Sequence, residues 1–269
     1  MGRLEGKICL ITGGIRGFGA SIVSLFVSEG AKCLVMDLLA QDGFYDPYTI
    51  ESPSSSAITP PKDSAYAIKA DITTRLSWTE SLRTCKHIFG DIPTIIVNNA
   101  GWTYSNKPTL TVDEVEFEKV FSINVKSIYL SVDVLLPELL EKKPDDAVFV
   151  NVSSTAAIRP RPGLVWYNAS KGAVSTATKA LAVEYAANRI RFNTVCPVAG
   201  NTPLLSKFAG SKEAGDVMSE EKLAQFNASI PIGRLSEGKD IANACLFLAD
   251  QASAFITGIE VPVDGGRCV

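Results

Sequence analysis

The sequence predicts an α/β fold, a doubly wound parallel sheet of about seven strands flanked by helices. Three observations carry that reading. Short apolar runs free of charge, as at Cys9-Leu10-Ile11 and Ile95-Ile96-Val97, are what strands buried on both faces of a parallel sheet look like. These runs alternate along the chain with segments of helical spacing, the order that builds parallel strands joined by crossover helices. No internal repeat divides the 269 residues, a length that suits a single domain with a sizeable core.

The first strand, at residues 7–12, runs into Thr12-Gly13-Gly14-Ile15-Arg16-Gly17-Phe18-Gly19, and Ile22, Val23, Leu25 and Phe26 follow at helical spacing. Glycines at such a turn let the backbone approach a pyrophosphate, and the helix N-terminus offers free N–H groups and a positive dipole end. A turn used only for packing is the competing reading. The strand at 32–37 closes on Asp37, about 20 residues further on, where a carboxylate accepts from the adenosine ribose hydroxyls and repels a 2′-phosphate. Asp37 therefore predicts NAD rather than NADP. Arg16, a cation in the glycine turn, is the residue that argues for NADP.

Residues 40–64 turn to Asp, Pro, Ser and Tyr without periodicity and read as a surface insertion. A strand at 65–72 presents Asp71 near its carboxyl end, placed to meet the adenine edge, and a helix follows at 78–89. The strand at 94–98 ends in Asn98-Asn99-Ala100-Gly101. Small residues there let a ribose lie against the backbone, while the amides tie neighbouring strands together. Residues 112–142 read as one long helix with Asn124 inside its apolar stripe, either a satisfied core amide or a residue that holds a water. The strand at 147–154 ends in Ser153 and Ser154. Beyond the helix that contains Tyr167, a strand at 190–196 is stopped by Pro197. The polar stretch 201–231 suits a lid over a site, with a helix near 220–226. A helix at 239–248 and a last strand at 256–263 complete the chain.

Tyr167 and Lys171 stand four positions apart, so a helix places both on one face. A free phenol titrates near about 10. A lysine cation beside it favours the phenolate and lowers that value, after which Tyr167 can exchange a proton with an alcohol or ketone. Both residue types are common on helices, so the pair alone is a weak signal.

With T-G-x-x-x-G-x-G at 12–19, N-N-A-G at 98–101, Asn124, Ser154 and Y-x-x-x-K at Tyr167 and Lys171, the chain resembles the short-chain dehydrogenase/reductase family over nearly its whole length. Ser154 matches the family's spacing to the tyrosine better than Ser153. The resemblance implies a Rossmann fold in which Tyr167 is the general acid/base. Lys171 lowers its pKa and holds the nicotinamide ribose, Ser154 binds the substrate oxygen, and Asn124 holds a water that links Lys171 to solvent. It also implies cofactor contacts from Gly13, Arg16, Gly17, Phe18, Gly19, Asp37, Leu38, Asp71, Ile72, Asn99, Ala100, Gly101, Tyr167, Lys171, Pro197, Val198 and Thr202. A homotetramer or homodimer built on the helices that contain Asn124 and Tyr167 is implied as well. One departure stands out: Val198 follows Pro197 where the family usually has glycine, which puts the shape of the nicotinamide face in question.

Composition narrows the partners. A formal net charge of -3 gives no electrostatic case for nucleic acid or an anionic membrane surface, and no stretch looks long and apolar enough to span one. The single histidine, His87, leaves neither a histidine triad nor a multi-histidine metal site. The six cysteines form no C-x-x-C, and several sit in apolar runs, so they read as reduced core residues. With no secretory signal, these features predict a cytoplasmic protein. The resulting expectation is an NAD(H)-dependent oxidoreductase interconverting a secondary alcohol and a ketone. The alternatives are an NADPH-dependent ketone reductase and a non-catalytic cofactor-binding protein. Trp102, Tyr104, Trp166, Leu204, Leu205 and Phe208 follow the motifs and point to a bulky lipophilic or secondary-metabolite substrate, with ordinary packing as the competing reading.

Overall fold

The first strand lies at the middle of the sheet, and the chain winds away from it in both directions. The structure, a computed structural model, describes residues 2–49 and 63–269. From β1 (Ile8–Thr12) the chain passes through helix α1 (Gly17–Ser28) to β2 (Lys32–Asp37), β3 (Gly43–Phe44) and β4 (Ala65–Lys69) on one side. After α2 (Arg75–Phe89) it returns to the other side of β1 and lays down β5 (Ile95–Asn98), β6 (Ala147–Val152), β7 (Ile190–Pro197) and β8 (Glu260–Val263). The order is β3-β4-β2-β1-β5-β6-β7-β8, parallel throughout except for β3 on β4. Reversal of winding at β1 opens a crevice at the carboxyl ends of β1 and β5, the place where such sheets bind ligands.

Alternation along each buried strand builds two cores. Cys9, Ile11, Val35 and Val97 face α1 and α8 (Gly238–Ala249), meeting Ile22, Phe26, Ile241 and Cys245. Leu10, Leu34, Ile96 and Phe149 face the opposite way, where Trp78 and Leu82 of α2 and Leu135 and Leu139 of the long helix cover them.

Three expectations change. β3 falls inside the stretch expected to be an unstructured insertion, where Phe44 sets its ring edge on Tyr66 at 5.0 Å between centroids. Residues 50–62 of that insertion lie outside the described residues. The helix expected at 112–142 runs from Glu114 to Lys142 but is broken into α3 (Glu114–Phe121), a π-helical turn at Ser122–Lys126 and α4 (Ser127–Lys142). Such bulges gather at functional sites, and Asn124 sits in this one. By length and composition Glu114–Lys142 is also apolar enough to cross a membrane, contrary to the sequence reading. Its apolar stripe has another use here, because Leu130, Leu135, Leu136 and Leu139 are buried against the sheet.

Candidate active site

A cleft of about 1080 Å³ opens above the carboxyl ends of the strands. Its floor at one end is the glycine turn. Gly13 and Gly17 take φ of +66° and +57°, a region that favours glycine, and a Cβ at Gly19 would lie 1.9 Å from the Gly13 carbonyl oxygen. The turn feeds the N-terminus of α1, where Arg16 supplies no side-chain cap and the first turn holds no acid. The free N–H groups and the positive helix end thus face the cleft with no side chain of the helix answering them. This cradle fits a pyrophosphate. Asp37 stands beside it with only 9% of its surface exposed, its Oδ2 accepting from the Ile15 N–H at 3.2 Å and its Oδ1 from the Leu39 N–H at 2.9 Å. Each carboxylate oxygen keeps acceptor capacity for a ribose hydroxyl. Arg16, Leu38, Asp71 and Ile72 line the same end.

The Asn98-Asn99-Ala100-Gly101 segment does the tying that its amides predict. Asn98 Nδ2 donates across the sheet to Asn151 Oδ1 and to Ser131 Oγ, each at 2.9 Å. Asn99 Nδ2 donates to the carbonyls of Thr12 and Gly13 at 3.0 and 3.1 Å, which pins the glycine turn to β5. Gly13 has no room for a side chain because Ala100 Cα would lie 3.0 Å from it.

At the other end β6 delivers two serines. Ser153 Oγ turns inward and donates to the Lys171 carbonyl at 2.9 Å, locking β6 to α5 (Val165–Tyr185). Ser154 faces the cleft, its Oγ accepting from the Ala156 N–H at 3.1 Å, and Tyr167, 6% exposed, lines the cleft with it. Burial pushes the Tyr167 phenol above its ordinary value, while the Ser154 hydroxyl and the Arg161 guanidinium pull it the other way.

Lys171 lies in the cleft wall with Nζ donating to the Val152 carbonyl at 2.8 Å, and burial lowers its pKa to about 8. Arg161 is a cation that lowers the Tyr167 pKa in this structure, while Lys171 Nζ is held by the Val152 carbonyl. Spacing along the helix brought the two side chains to one face, but the strand carbonyl captured the ammonium. A folded-state pKa below the unfolded value means that the unfolded chain holds the extra proton between about 8 and 10.5, so this term favours folding increasingly as pH rises through that window. We expect the unfolding free energy of a Lys171→Met protein, without cofactor, to lose its advantage over the parent by on the order of 3 kcal/mol from pH 8 to 10.5. Urea titrations at several pH values check this; a difference independent of pH contradicts it.

Asn124 is hydrogen-bonded as a core amide. Its Oδ1 accepts from the Trp102 N–H and its Nδ2 donates to the Trp102 carbonyl, both at 2.9 Å, with a second donation to Ser170 Oγ at 3.0 Å. Both N–H groups are used, and one lone pair on Oδ1 is left. That oxygen and Lys171 Nζ both approach Gly101, each 3.4 Å from where its Cβ would stand.

Pro197, Val198 and Thr202 line the cleft above these groups. The substitution at Val198 is accommodated by packing: its side chain joins Leu205, Ile230 and Leu235 in a small cluster. Two positions later a Cβ at Gly200 would fall 2.3 Å from the Phe18 ring, so that side chain would have to move to admit one. Of the residues expected around the substrate, Trp102, Leu204 and Phe208 reach the cleft. Tyr104 and Leu205 are buried in packing, and Trp166 sets its ring edge on Phe117. Sequence reasoning missed Arg159, Arg161, Arg267 and Cys268, which also line it. Arg159 and Arg161 lie a few residues before Tyr167, a nearness that could have flagged them; nothing local marks Arg267 or Cys268 near the far end of the chain.

Comparison with known proteins agrees with this geometry. The family model described as "Enoyl-(Acyl carrier protein) reductase" matches residues 13–267. The chain is 35% identical over 264 residues to 4-formylbenzenesulfonate dehydrogenase of Comamonas testosteroni, covering 98% of each chain. It is 33% identical over 266 residues to the NADP-dependent (R)-specific alcohol dehydrogenase of Lentilactobacillus kefiri, covering 98% of this chain and 97% of that one. Among solved structures, the 3-ketoacyl-(acyl-carrier-protein) reductase of Brucella melitensis complexed with NADH superimposes with a TM-score of 0.83 at 36% identity, over 99% of this chain and all of that one.

Proposed function

The chain belongs to the short-chain dehydrogenase/reductase family, and from that premise we propose that it is an NAD(H)-dependent oxidoreductase interconverting a secondary alcohol and a ketone, with Tyr167 as its general acid/base. That it is an enzyme acting on CH–OH donors with a nicotinamide cofactor follows from the family. The observation that carries the finer reading is the buried Tyr167 phenol, which lines the same cavity as Ser154 and the glycine turn.

A bound nicotinamide supplies hydride transfer. The chain's residues supply the rest. In the reductive direction Tyr167 delivers its proton to the carbonyl oxygen while Ser154 donates to that oxygen as charge develops on it. In the oxidative direction the phenolate takes the alcohol proton, helped by the positive field of Arg161. Lys171, held by the Val152 carbonyl next to Gly101, stands where it can bind a ribose hydroxyl. The preference for NAD(H) rests on Asp37, whose buried carboxylate would meet a 2′-phosphate at contact distance. Arg16 in the same end of the cleft supports the second reading, an NADPH-dependent reductase.

Mixing the protein with NAD+ and a panel of secondary alcohols is expected to raise the absorbance of NADH. Cofactor affinities are expected to favour NADH over NADPH, and Asp37→Ala to reduce that preference by roughly 10- to 100-fold. A parent protein that prefers NADPH would move the assignment to the second reading. Tight NADH binding with no turnover across the panel would leave a cofactor-binding protein.

A further inference from the structure

Arg161 is a half-buried cation that forms no ion pair with a described residue. Its guanidinium carbon sits 5.4 Å from the centre of the Phe208 ring, and that ring is in turn 5.5 Å from the Tyr167 ring. The guanidinium therefore cannot lie farther from the reacting phenol's ring than those two distances laid end to end. Burial weakens its hold on a proton, the neighbouring Arg267 weakens it further, and only the Tyr167 phenolate opposes them. Arg159 adds a third guanidinium to this corner, with Nη1 donating to the Arg267 carbonyl at 2.7 Å. None of the three forms an ion pair with a described residue. The carboxylate beside this corner is Asp264, which accepts from the Gly266 and Cys268 N–H groups, so three guanidiniums face one nearby anion; Glu118 and Glu213 line the cleft together with Lys119 and Lys212.

Clustered, partly desolvated cations are unfavourable unless an anion joins them. The cofactor's phosphates do not fill that role, because the glycine turn and the α1 N-terminus answer them at the opposite end of the cleft. Resting on the oxidoreductase reading above, we propose that the substrate carries an oxyanion group, a carboxylate or sulfonate, which Arg161 binds with support from Arg159 and Arg267 while its body lies on Phe208, Trp102 and Leu204. The planar guanidinium fork matches such a group with two parallel N–H donations. The lipophilic wall read from the sequence then holds only the middle of the molecule.

The test uses ligands that differ only in charge: 4-acetylbenzoate, 4-acetylbenzenesulfonate and the methyl ester of the first. Each is titrated calorimetrically into the protein saturated with NAD+, where a ketone cannot react, and then offered as a substrate with NADH. Both anions are expected to bind roughly 10- to 100-fold more tightly than the ester. Arg161→Met is expected to bring that ratio close to one, and Arg161→Lys to keep part of it. An ester that binds as tightly as the anions, or a preference that survives Arg161→Met, overturns the proposal. Preferential binding of the anions without reduction by NADH upholds the anion site and counts instead against the oxidoreductase reading for these ketones.

Discussion

Tyr167→Phe is expected to lower kcat for alcohol oxidation and ketone reduction by roughly 10³-fold, within the range that a positioned acid/base contributes. The substitution removes one oxygen and leaves the ring that packs edge-on against Phe208. Folding and NADH affinity are therefore expected to stay within about twofold of the parent's, since the lost group is a phenol raised in pKa by its own burial. Steady-state kinetics paired with a fluorescence titration of NADH separates the two effects. If Ser154 and Tyr167 act on one substrate oxygen as proposed, Ser154→Ala combined with Tyr167→Phe is expected to cost little more than Tyr167→Phe alone. A phenylalanine variant as active as the parent would remove Tyr167 from the chemistry altogether.

Gly19→Ala should be the most damaging single methyl group that can be added to the cofactor end. Its Cβ would lie 1.9 Å from the Gly13 carbonyl oxygen and 2.6 Å from Asn99 Nδ2, and the first of these is backbone that cannot rotate away. Relief requires the turn between β1 and α1 to open. That displaces the N–H groups facing the pyrophosphate and breaks the Asn99 bonds to Thr12 and Gly13. Overpacking of this kind costs about 1–3 kcal/mol, and a fall in Tm of roughly 2–4 °C for each kcal/mol is expected by calorimetry. The NADH dissociation constant is expected to rise by at least about 100-fold. An alanine variant that binds NADH like the parent would show that the turn is not the phosphate cradle.

Local chemistry accounts for the parts of this protein that were legible in advance. The central strands β1, β5 and β6 show as charge-free runs because both of their faces are buried, so no exposed face breaks the apolar pattern in the sequence. The glycine turn shows because its backbone angles and close contacts admit little else. Ser153 and Ser154, adjacent and alike, were divided by strand pleat: one points into the helix and the other into the cleft. The two-residue β3 escaped notice because so short a strand carries no periodicity, and its pairing depends on a partner some twenty residues away in the chain.

The amino-acid sequence by itself determined the α/β winding, the glycine turn between β1 and α1 and the Tyr167–Lys171 face, because each depends on residues within a few turns of one another. Only the tertiary structure decided where the Lys171 ammonium is held and which arginines gather along the cleft. Lys171 was drawn to the Val152 carbonyl of a strand, while Arg161 and Arg267, about a hundred residues apart, were brought to one corner by the closing of the sheet at β8. Electrostatic energy depends on distance in space, and chain folding sets that distance independently of separation along the sequence.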